Sequence, residues 1–340
     1  MAIAGLRCSV SRRSIIRKRR SIMKIVITDC SWNCYEEEMQ NLPKDAEIVC
    51  AQICSEDELI KVCMDADAIL SEYAPLSRKV LEQLKNVKII SNTAIGVDNI
   101  DTAAAREMGI AVANVPNYCA YEVADHAMAL MLASMRNIVV FERKVRQGIW
   151  DINDAPQMQR IAGQKLGLLG FGRIPQMVSE RAKGFGMEVK AYDPYLPKEV
   201  AAKFGVELVP FDDILTESDV ISCHLPLMPS TQGIINKEVF GKMIRKPLFI
   251  NTSRGKVVNE ADMIEALKTG QIKAAALDVL EDEPANFDSE IFQLENVIIT
   301  PHAGFYSTTA LQEVRSRSAL NVTKFFEKDY TNINFIVKPI

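Results

Sequence analysis

The chain has 340 residues, of which 48% are hydrophobic, and a formal net charge of −4. This length suits two domains with sizeable cores. No apolar run approaches the roughly 18 residues that a membrane span needs, and the acidic balance offers no footprint for nucleic acid. Eight cysteines are scattered without a Cys-x-x-Cys pair, which is typical of a protein of the reducing cytoplasm and predicts no metal site.

The first 24 residues differ from the rest, because they contain eight Lys and Arg and no acid. Without them the chain has 40 − 8 = 32 basic and 44 acidic residues, a net charge of −12. An Arg- and Ser-rich stretch is typical of an organelle transit peptide. However, Met23 to Ile27 is a natural beginning for a first strand, so we favour a start codon assigned too far upstream. We expect residues 1–22 to be poorly ordered.

Short apolar runs alternate with helical patterns and predict two parallel sheets. The first set lies at 24–28, 47–53, 66–70, 87–91 and 110–114. A long helical pattern follows from Tyr121 to about Gln147, with apolar residues spaced as on a core-facing helix. The second set of apolar runs lies at 165–169, 188–192, 206–209, 219–223, 247–251, 274–277 and 296–300, and a last helix is predicted from Thr308 to Glu327.

The first run of the second set ends in a glycine turn, Gly170-Phe171-Gly172-Arg173-Ile174-Pro175. A helical pattern follows, then a strand that ends in Asp193, 193 − 170 = 23 residues after Gly170. Strand, glycine turn, helix, strand and acid at this spacing are typical of a dinucleotide-binding unit. Gly170 would make the tight turn and Gly172 would let the backbone approach a pyrophosphate. The N–H groups of Arg173 and Ile174 would bind that pyrophosphate at the start of the helix.

Two residues of this unit bear on its cofactor preference and on the packing of its helix. Asp193 would accept hydrogen bonds from the adenosine ribose and repel a 2′-phosphate, so NAD is favoured over NADP. Pro175 replaces the third glycine of the usual pattern, which normally allows close helix packing. Proline in the first helical turn loses only an N–H that has no intrahelical partner, so we expect a slightly displaced helix and intact cofactor binding.

Three polar residues near the end of the second set form a candidate catalytic group: Arg254, Glu283 and His302. Histidine can accept and return a proton near neutrality, and a carboxylate beside it would stabilise the imidazolium. The planar fork of an arginine matches the two oxygens of a carboxylate. Together they are suited to interconverting an alcohol and a ketone on a carboxylic acid.

These motifs together resemble the D-2-hydroxyacid dehydrogenase family over about residues 24–328. The likeness is closest to its C-terminal-binding-protein branch, on the stretches 182–186, 192–195 and 301–307. The resemblance implies an α/β fold of two Rossmann/flavodoxin-like, doubly wound parallel-sheet domains around a cleft. The substrate domain would be 23–117 plus 305–340, and the NAD-binding domain 118–304.

The resemblance also implies roles for single residues. Arg254, Glu283 and His302 would be the catalytic set, and Asp278 would contact the nicotinamide carboxamide. The other residues expected along the cofactor are Cys223, His224, Pro226, Thr231 and Thr252.

A second implied site is the loop around Ile95, Gly96 and Val97, whose N–H groups would hold the substrate carboxylate together with Arg254. Successive amides beside a glycine also make a reasonable anion nest on physical grounds. Many relatives have arginine where this chain has Asn92 and glycine where it has Ala94. The missing cation disfavours phosphorylated or diacid substrates, unless the change at Asn92 is a neutral one.

The sequence therefore predicts an NAD-dependent D-2-hydroxyacid dehydrogenase that works as a 2-ketoacid reductase on a small substrate. By resemblance it would be a homodimer built on the cofactor domain. Two alternatives stay open. One is an NAD(H)-sensing, corepressor-like binding protein, which would keep the same fold and catalytic residues. The other is a phosphoglycerate dehydrogenase, against which Asn92 weighs.

Overall fold

The computed structural model describes residues 22–30, 35–53 and 55–339. The expected disorder of residues 1–22 therefore falls, apart from Ile22, outside the described residues. The described chain divides into two compact units. The larger consists of Asn92–Asp98 and Asn114–Ser318, and the smaller of Asn99–Ala113 with the described residues before 92 and after 318.

The elements follow one another in an alternating order that is typical of α/β proteins. The strands are β1 Lys24–Ile27, β2 Glu47–Cys50, β3 Ala68–Ser71, β4 Ile89–Asn92, β5 Ala111–Asn114, β6 Lys165–Leu169, β7 Glu188–Tyr192, β8 Glu207–Leu208, β9 Val220–Cys223, β10 Leu248–Asn251, β11 Ala274–Leu277, β12 Val297–Ile299 and β13 Asn334–Val337. The helices are α1 Glu36–Asn41, α2 Glu56–Cys63, α3 Arg78–Leu81, α4 Thr102–Glu107, α5 Ala120–Met135, α6 Ile138–Arg146, α7 Arg173–Gly184, α8 Lys198–Lys203, α9 Phe211–Glu217, α10 Lys237–Gly241, α11 Glu260–Lys268 and α12 Thr308–Glu327.

The sheet of the smaller unit has six strands in the order β13-β5-β4-β3-β1-β2. Strand β1 pairs in parallel with β2 and β3, and β4 with β5. Every residue of β3, β4 and β5 is buried, as expected for strands covered by helices on both faces. Strand β13 was not among the predicted runs.

The sheet of the larger unit has seven strands in the order β12-β11-β10-β9-β6-β7-β8. All six neighbouring pairs are parallel. The chain runs outward in one direction from β6 to β8 and then in the other from β9 to β12. The strand order thus reverses between β6 and β9, and in such sheets ligands bind beyond the carboxyl ends of the strands at this switch point. The predicted fold class of two Rossmann-like parallel-sheet units is confirmed.

The two units differ from the predicted domain boundaries at three stretches: 92–98, 114–117 and 305–318 belong to the larger unit. One apolar cluster joins two of these stretches to the rest of the larger unit. Val115 and Tyr118 pack there with Phe305, Ala310 and Val314, and all five lie in the larger unit.

The prediction of one helix from Tyr121 to about Gln147 was wrong, because α5 and α6 meet at an angle of 59°. Asn137 between them has a φ of 50°, and this left-handed conformation, common for asparagine just after a helix, interrupts the hydrogen-bond ladder. Helix α5 is half buried, whereas α6 has no buried residue. In the part of the chain that the structure describes, no single helix could span a membrane, and only this bent pair has the length and composition.

Candidate active site

The glycine loop leaves β6 at the switch point. Gly170 has a φ of 90°, and a Cβ atom there would lie 3.0 Å from the carbonyl oxygen of His224, so only glycine fits. A Cβ atom on Gly172 would have no neighbour within 4 Å. The backbone of this loop is thus open on the side where a ligand could approach it.

Helix α7 begins directly after this loop. Its first two residues, Arg173 and Ile174, have N–H groups without an intrahelical acceptor, and the helix dipole is positive here. Pro175 follows as a buried residue, in the turn where the missing N–H costs no helical hydrogen bond. The start of α7 is therefore suited to bind a phosphate.

Asp193 follows β7, and backbone N–H groups hold its carboxylate beside the glycine loop. Its Oδ2 accepts from the N–H of Phe171 at 3.0 Å, and its Oδ1 from those of Tyr195 and Leu196 at 2.9 and 3.0 Å. Oδ2 keeps a lone pair for a further donor. A ribose hydroxyl can supply that donor, whereas a phosphate would be repelled.

The last residue of β9, Cys223, and the residue after it, His224, form the next part of the site. The thiol of Cys223 is fully buried and accepts from Ser253 Oγ at 3.7 Å. His224 lies with Nε2 2.9 Å from Ser222 Oγ, and burial lowers its pKa to about 4. The imidazole is therefore neutral at physiological pH.

Two threonines predicted along the cofactor have different surroundings. Thr231 Oγ1 donates to the carbonyl of Pro226 at 2.6 Å and accepts the N–H of Met228 at 2.8 Å, so its hydroxyl shapes this loop. Thr252 Oγ1 is buried without a hydrogen-bond partner among the described residues. A buried hydroxyl without a partner is uncommon, and a bound ligand would satisfy it.

The candidate substrate loop lies between β4 and Asp98. Asn92 donates from Nδ2 to the carbonyl of Gly96 at 2.6 Å, and Asn114 to that of Ile95 at 2.5 Å. None of the described residues accepts a hydrogen bond from the N–H groups of Ile95, Gly96 or Val97. The loop therefore has the character of an anion nest. The buried Asn92 shapes the nest.

Arg254, just after β10, lies against this loop. Its Nε donates to Asp98 Oδ2 at 2.7 Å and its Nη1 to the carbonyl of Ser253 at 2.8 Å. A Cβ atom on Gly96 would overlap the guanidinium, so a larger residue there would displace the side chain of Arg254. No local sequence pattern predicts Asp98 as the partner of Arg254, because 156 residues separate the two.

His302 and Glu283 form the predicted pair. His302 Nδ1 lies 2.6 Å from Glu283 Oε2, and Glu283 Oε1 accepts the N–H of Leu280 at 3.2 Å. An imidazole whose Nδ1 is bound to a carboxylate keeps Nε2 for a proton transfer. The His302 ring lies edge-on to Phe305, with 6.1 Å between centroids, and its side chain remains 29% exposed.

Asp278, after β11, is 2% exposed and contacts the loop of His302. Its carbonyl accepts the N–H of His302 at 2.8 Å, and its carboxylate accepts the N–H groups of Ala303 and Gly304 and the hydroxyl of Thr300. Burial raises the pKa of Asp278, but these hydrogen bonds and one from His126 outweigh it, so the pKa is lowered. His126 was not among the predicted site residues, because a lone histidine in a helical pattern is more often structural than catalytic.

The larger unit combines a glycine loop at the switch point of its sheet, an acid after the second strand, a His–Glu pair and an arginine. These features define a dinucleotide-dependent dehydrogenase. Comparisons with known proteins support this class of enzyme. Residues 128–304 match the family model described as "D-isomer specific 2-hydroxyacid dehydrogenase, NAD binding domain". The chain belongs to the D-isomer specific 2-hydroxyacid dehydrogenase family.

Several curated relatives and a solved structure are similar to the chain. A D-3-phosphoglycerate dehydrogenase of Methanocaldococcus jannaschii is 40% identical over 83% of this chain, but this chain spans only 53% of that relative. A glyoxylate reductase of Korarchaeum cryptofilum is 39% identical, covering 78% of this chain and 80% of the relative. The structure of D-lactate dehydrogenase from Aquifex aeolicus, complexed with NAD and lactic acid, superposes with a TM-score of 0.85 at 29% identity, covering 93% of this chain and 100% of that one.

Family membership confirms three predictions: the family itself, an oxidoreductase that acts on the CH–OH group of 2-hydroxyacids, and NAD as cofactor. The cofactor also fits the residues present, through the open glycine loop, the phosphate site at α7 and the unpaired hydroxyl of Thr252. The predicted likeness to the C-terminal-binding-protein branch stays a prediction.

Proposed function

We propose that the protein reduces a small 2-ketoacid with one carboxylate to the D-2-hydroxyacid, using NADH. The observation that supports this most is the arrangement of His302 on Glu283 and of Arg254 on the nest of residues 95–97, all in the unit with the glycine loop. An acid, a cation and a set of free amides are the groups that this reaction needs.

Each protein residue of the site has a separate role in the proposed reaction. NADH, when bound, supplies the hydride to the carbonyl carbon. Arg254 binds the substrate carboxylate and polarises the carbonyl, and the N–H groups of residues 95–97 bind the same carboxylate. His302 donates its Nε2 proton to the carbonyl oxygen, so that hydride and proton together give the alcohol. Glu283 stabilises the imidazolium before the transfer and fixes its orientation.

The charges around Arg254 support a monoanionic substrate. Asp98 lies 2.7 Å from the guanidinium, and Glu283 binds His302 in the same unit. Asn92, which brings no charge, is buried and bound to the loop. Pyruvate, glyoxylate and hydroxypyruvate fit these charges better than phosphohydroxypyruvate or oxaloacetate. The second anionic group of the latter two would be repelled by the acidic side chains of the site. Relatives named glyoxylate reductase and hydroxypyruvate reductase agree with this choice.

For assembly and location we propose a homodimer in the cytoplasm. Helix α6 and the chain after it expose Ile138, Trp150 and Ile152 by 55%, 90% and 81%, an apolar surface that a second copy would cover. The described cysteines form no disulfide, and burial raises the pKa of Cys63 and of Cys119 to about 12. Such unreactive thiols suit a reducing compartment.

A panel of 2-ketoacids, assayed by NADH oxidation, tests the proposed function. We expect turnover with pyruvate, glyoxylate or hydroxypyruvate and a D product on a chiral column. A tenfold preference for phosphohydroxypyruvate would favour phosphoglycerate chemistry. Tight NADH binding without turnover of any 2-ketoacid would favour an NAD(H)-sensing protein.

A further inference from the structure

His126 on α5 contacts the loop that carries His302, although it is no part of the His–Glu–Arg group. Its Nε2 lies 2.9 Å from Thr300 Oγ1 and 3.3 Å from Asp278 Oδ1. Both partners stand at the carboxyl ends of the neighbouring strands β11 and β12. The ring thus joins α5 to the edge of the sheet at which the candidate catalytic residues lie.

The proton positions in this cluster follow from the donors available. Thr300 has a single hydroxyl proton, and its Oγ1 lies 2.6 Å from Asp278 Oδ1. Asp278 is ionised at neutral pH and can only accept, so Thr300 must donate to it. The contact between His126 and Thr300 then requires that Nε2 of His126 carries a proton and donates. His126 therefore acts as a hydrogen-bond donor whether or not the ring is charged.

Asp278 transmits this contact to His302. Its carbonyl accepts the N–H of His302, and its carboxylate accepts those of Ala303 and Gly304, each at 2.8 Å. His302 has a φ of 52°, a left-handed conformation that side chains disfavour. Asp278 thus binds three successive N–H groups of this loop, and His126 and Thr300 in turn contact Asp278.

Gly304 shows how closely the loop approaches the cluster. A Cβ atom there would lie 2.7 Å from Asp278 Oδ2 and 3.4 Å from His126 Cδ2. The loop therefore packs directly against the carboxylate and the imidazole, without room for an intervening side chain. A shift of the His126 ring has to be accommodated by the loop.

We propose that His126 is a positioning residue: through Asp278 and Thr300 it holds the loop 300–304 in the conformation that presents His302 to the substrate. This role rests on the proposed function, which assigns the proton transfer to His302. His126 itself needs no contact with the substrate. Its effect is on geometry, and a misplacement of about 1 Å can cost about 100-fold in rate.

Two substitutions at the same position separate the hydrogen bond from the bulk of the ring. His126→Gln keeps an N–H donor at the end of a side chain of similar reach, whereas His126→Leu removes the donor. We expect His126→Leu to lower kcat about 10- to 100-fold with less than about threefold change in the KM of the ketoacid. His126→Gln should stay within about threefold of wild type. Met131→Leu, a buried change on the same helix, is the matched control and should have no effect.

A second measurement reads the loop directly and does not depend on turnover. In hydrogen-exchange NMR, the N–H groups of Ala303 and Gly304 should lose at least about tenfold protection in His126→Leu and keep it in His126→Gln and Met131→Leu. If His126→Leu does not fold, Thr300→Val removes one hydroxyl at constant shape and should give the same loss. The proposal would be overturned if His126→Leu kept the wild-type protection and kcat. It would also be overturned if His126→Leu and His126→Gln lowered them equally. A wild-type protein without ketoacid turnover would contradict the proposed function alone, because the exchange result still decides whether His126 holds the loop.

Discussion

Arg254 and Asp98 form a charge-assisted hydrogen bond, Nε to Oδ2, at 2.7 Å. Both side chains are about one-third exposed, at 32% and 36%, so solvent screens the pair only in part. Asp98 orients the guanidinium over Gly96, and it also offsets part of the positive charge that a substrate carboxylate meets. By offsetting this charge, the pair would favour substrates with a single negative charge, as proposed above.

We predict that Asp98→Asn shifts the substrate preference towards dianions. Asparagine keeps an acceptor for Arg254, so the orientation survives while the negative charge is lost. Removing one charge at about 6 Å in a partly screened site changes the interaction by about 1 kcal/mol, or about fivefold. The ratio of kcat/KM for phosphohydroxypyruvate to that for pyruvate should rise by this factor. Asp212→Asn, which removes an exposed acid paired with Lys242, is the control, and an unchanged ratio in Asp98→Asn would contradict the argument.

Asp193→Ser should relax the preference for NADH over NADPH. The wild-type carboxylate would face a 2′-phosphate with a like charge, and serine removes that repulsion. We expect the kcat/KM ratio of NADPH to NADH to rise about 10- to 100-fold, corresponding to roughly 1.4 to 2.8 kcal/mol. The variant loses acceptors for three N–H groups, so its melting temperature should be recorded alongside. Equal use of both cofactors by the wild type would refute the role of Asp193.

The pKa of His224 predicts a pH-dependent stability. It is about 4 in the folded protein because of burial, against about 6.5 in an unfolded chain. Between about pH 6.5 and 4 the imidazole is protonated in the unfolded chain but not in the folded protein. The free energy of unfolding therefore falls as the pH drops from about 6.5 to 4, and it loses no more from His224 below about pH 4. The fall is at most about 3 kcal/mol, and smaller where water reaches the half-buried ring.

Urea unfolding at pH 7.5, 5.5 and 4.5 measures this effect, with His224→Gln beside the wild type. The carboxylates titrate equally in both proteins, so the difference between their slopes isolates His224. We expect the variant to lose less stability on acidification. If the free energy of unfolding fell equally with pH in both proteins, the imidazole of His224 would be protonated in the folded state.

A double substitution, Trp150→Asp with Ile152→Asp, should dissociate the proposed dimer. Two charges on a surface that a second copy covers would cost several kcal/mol on association. Light scattering after size exclusion should give half the wild-type mass. Phe287→Asp, at another residue exposed by 80%, should leave the mass unchanged. A wild-type monomer, or the same response to both changes, would contradict a dimer through this surface.

Local sequence patterns predicted most of the fold. The runs that became β6 and β11 and the helix Thr308–Glu327 were placed at their observed bounds, because buried strands and amphipathic helices have strong local periods. The single helix over residues 121–147 failed at Asn137, where one left-handed residue overrides a continuous pattern. Strand β13 has only four residues, two of them exposed, and its pairing is set by a sheet assembled from distant segments.

The candidate site was predictable where a motif fixes the chemistry. Arg254, Glu283 and His302 were named from short local contexts, and the structure brings His302 to Glu283. Asp98 and His126 were missed, because their importance arises from contacts across 156 and 174 residues of chain. Such contacts exist only once the strands have aligned, and no local spacing encodes them.

The most direct test of the account compares turnover and cofactor binding in His302→Ala. The proposed mechanism assigns the proton transfer to His302, a contribution worth about 10²–10⁴-fold in rate, whereas NADH affinity should rest on the glycine loop and Asp193. Single-turnover reduction of the best 2-ketoacid by prebound NADH should slow at least about 100-fold, while the NADH dissociation constant changes less than about threefold. Wild-type turnover in His302→Ala would contradict the mechanism.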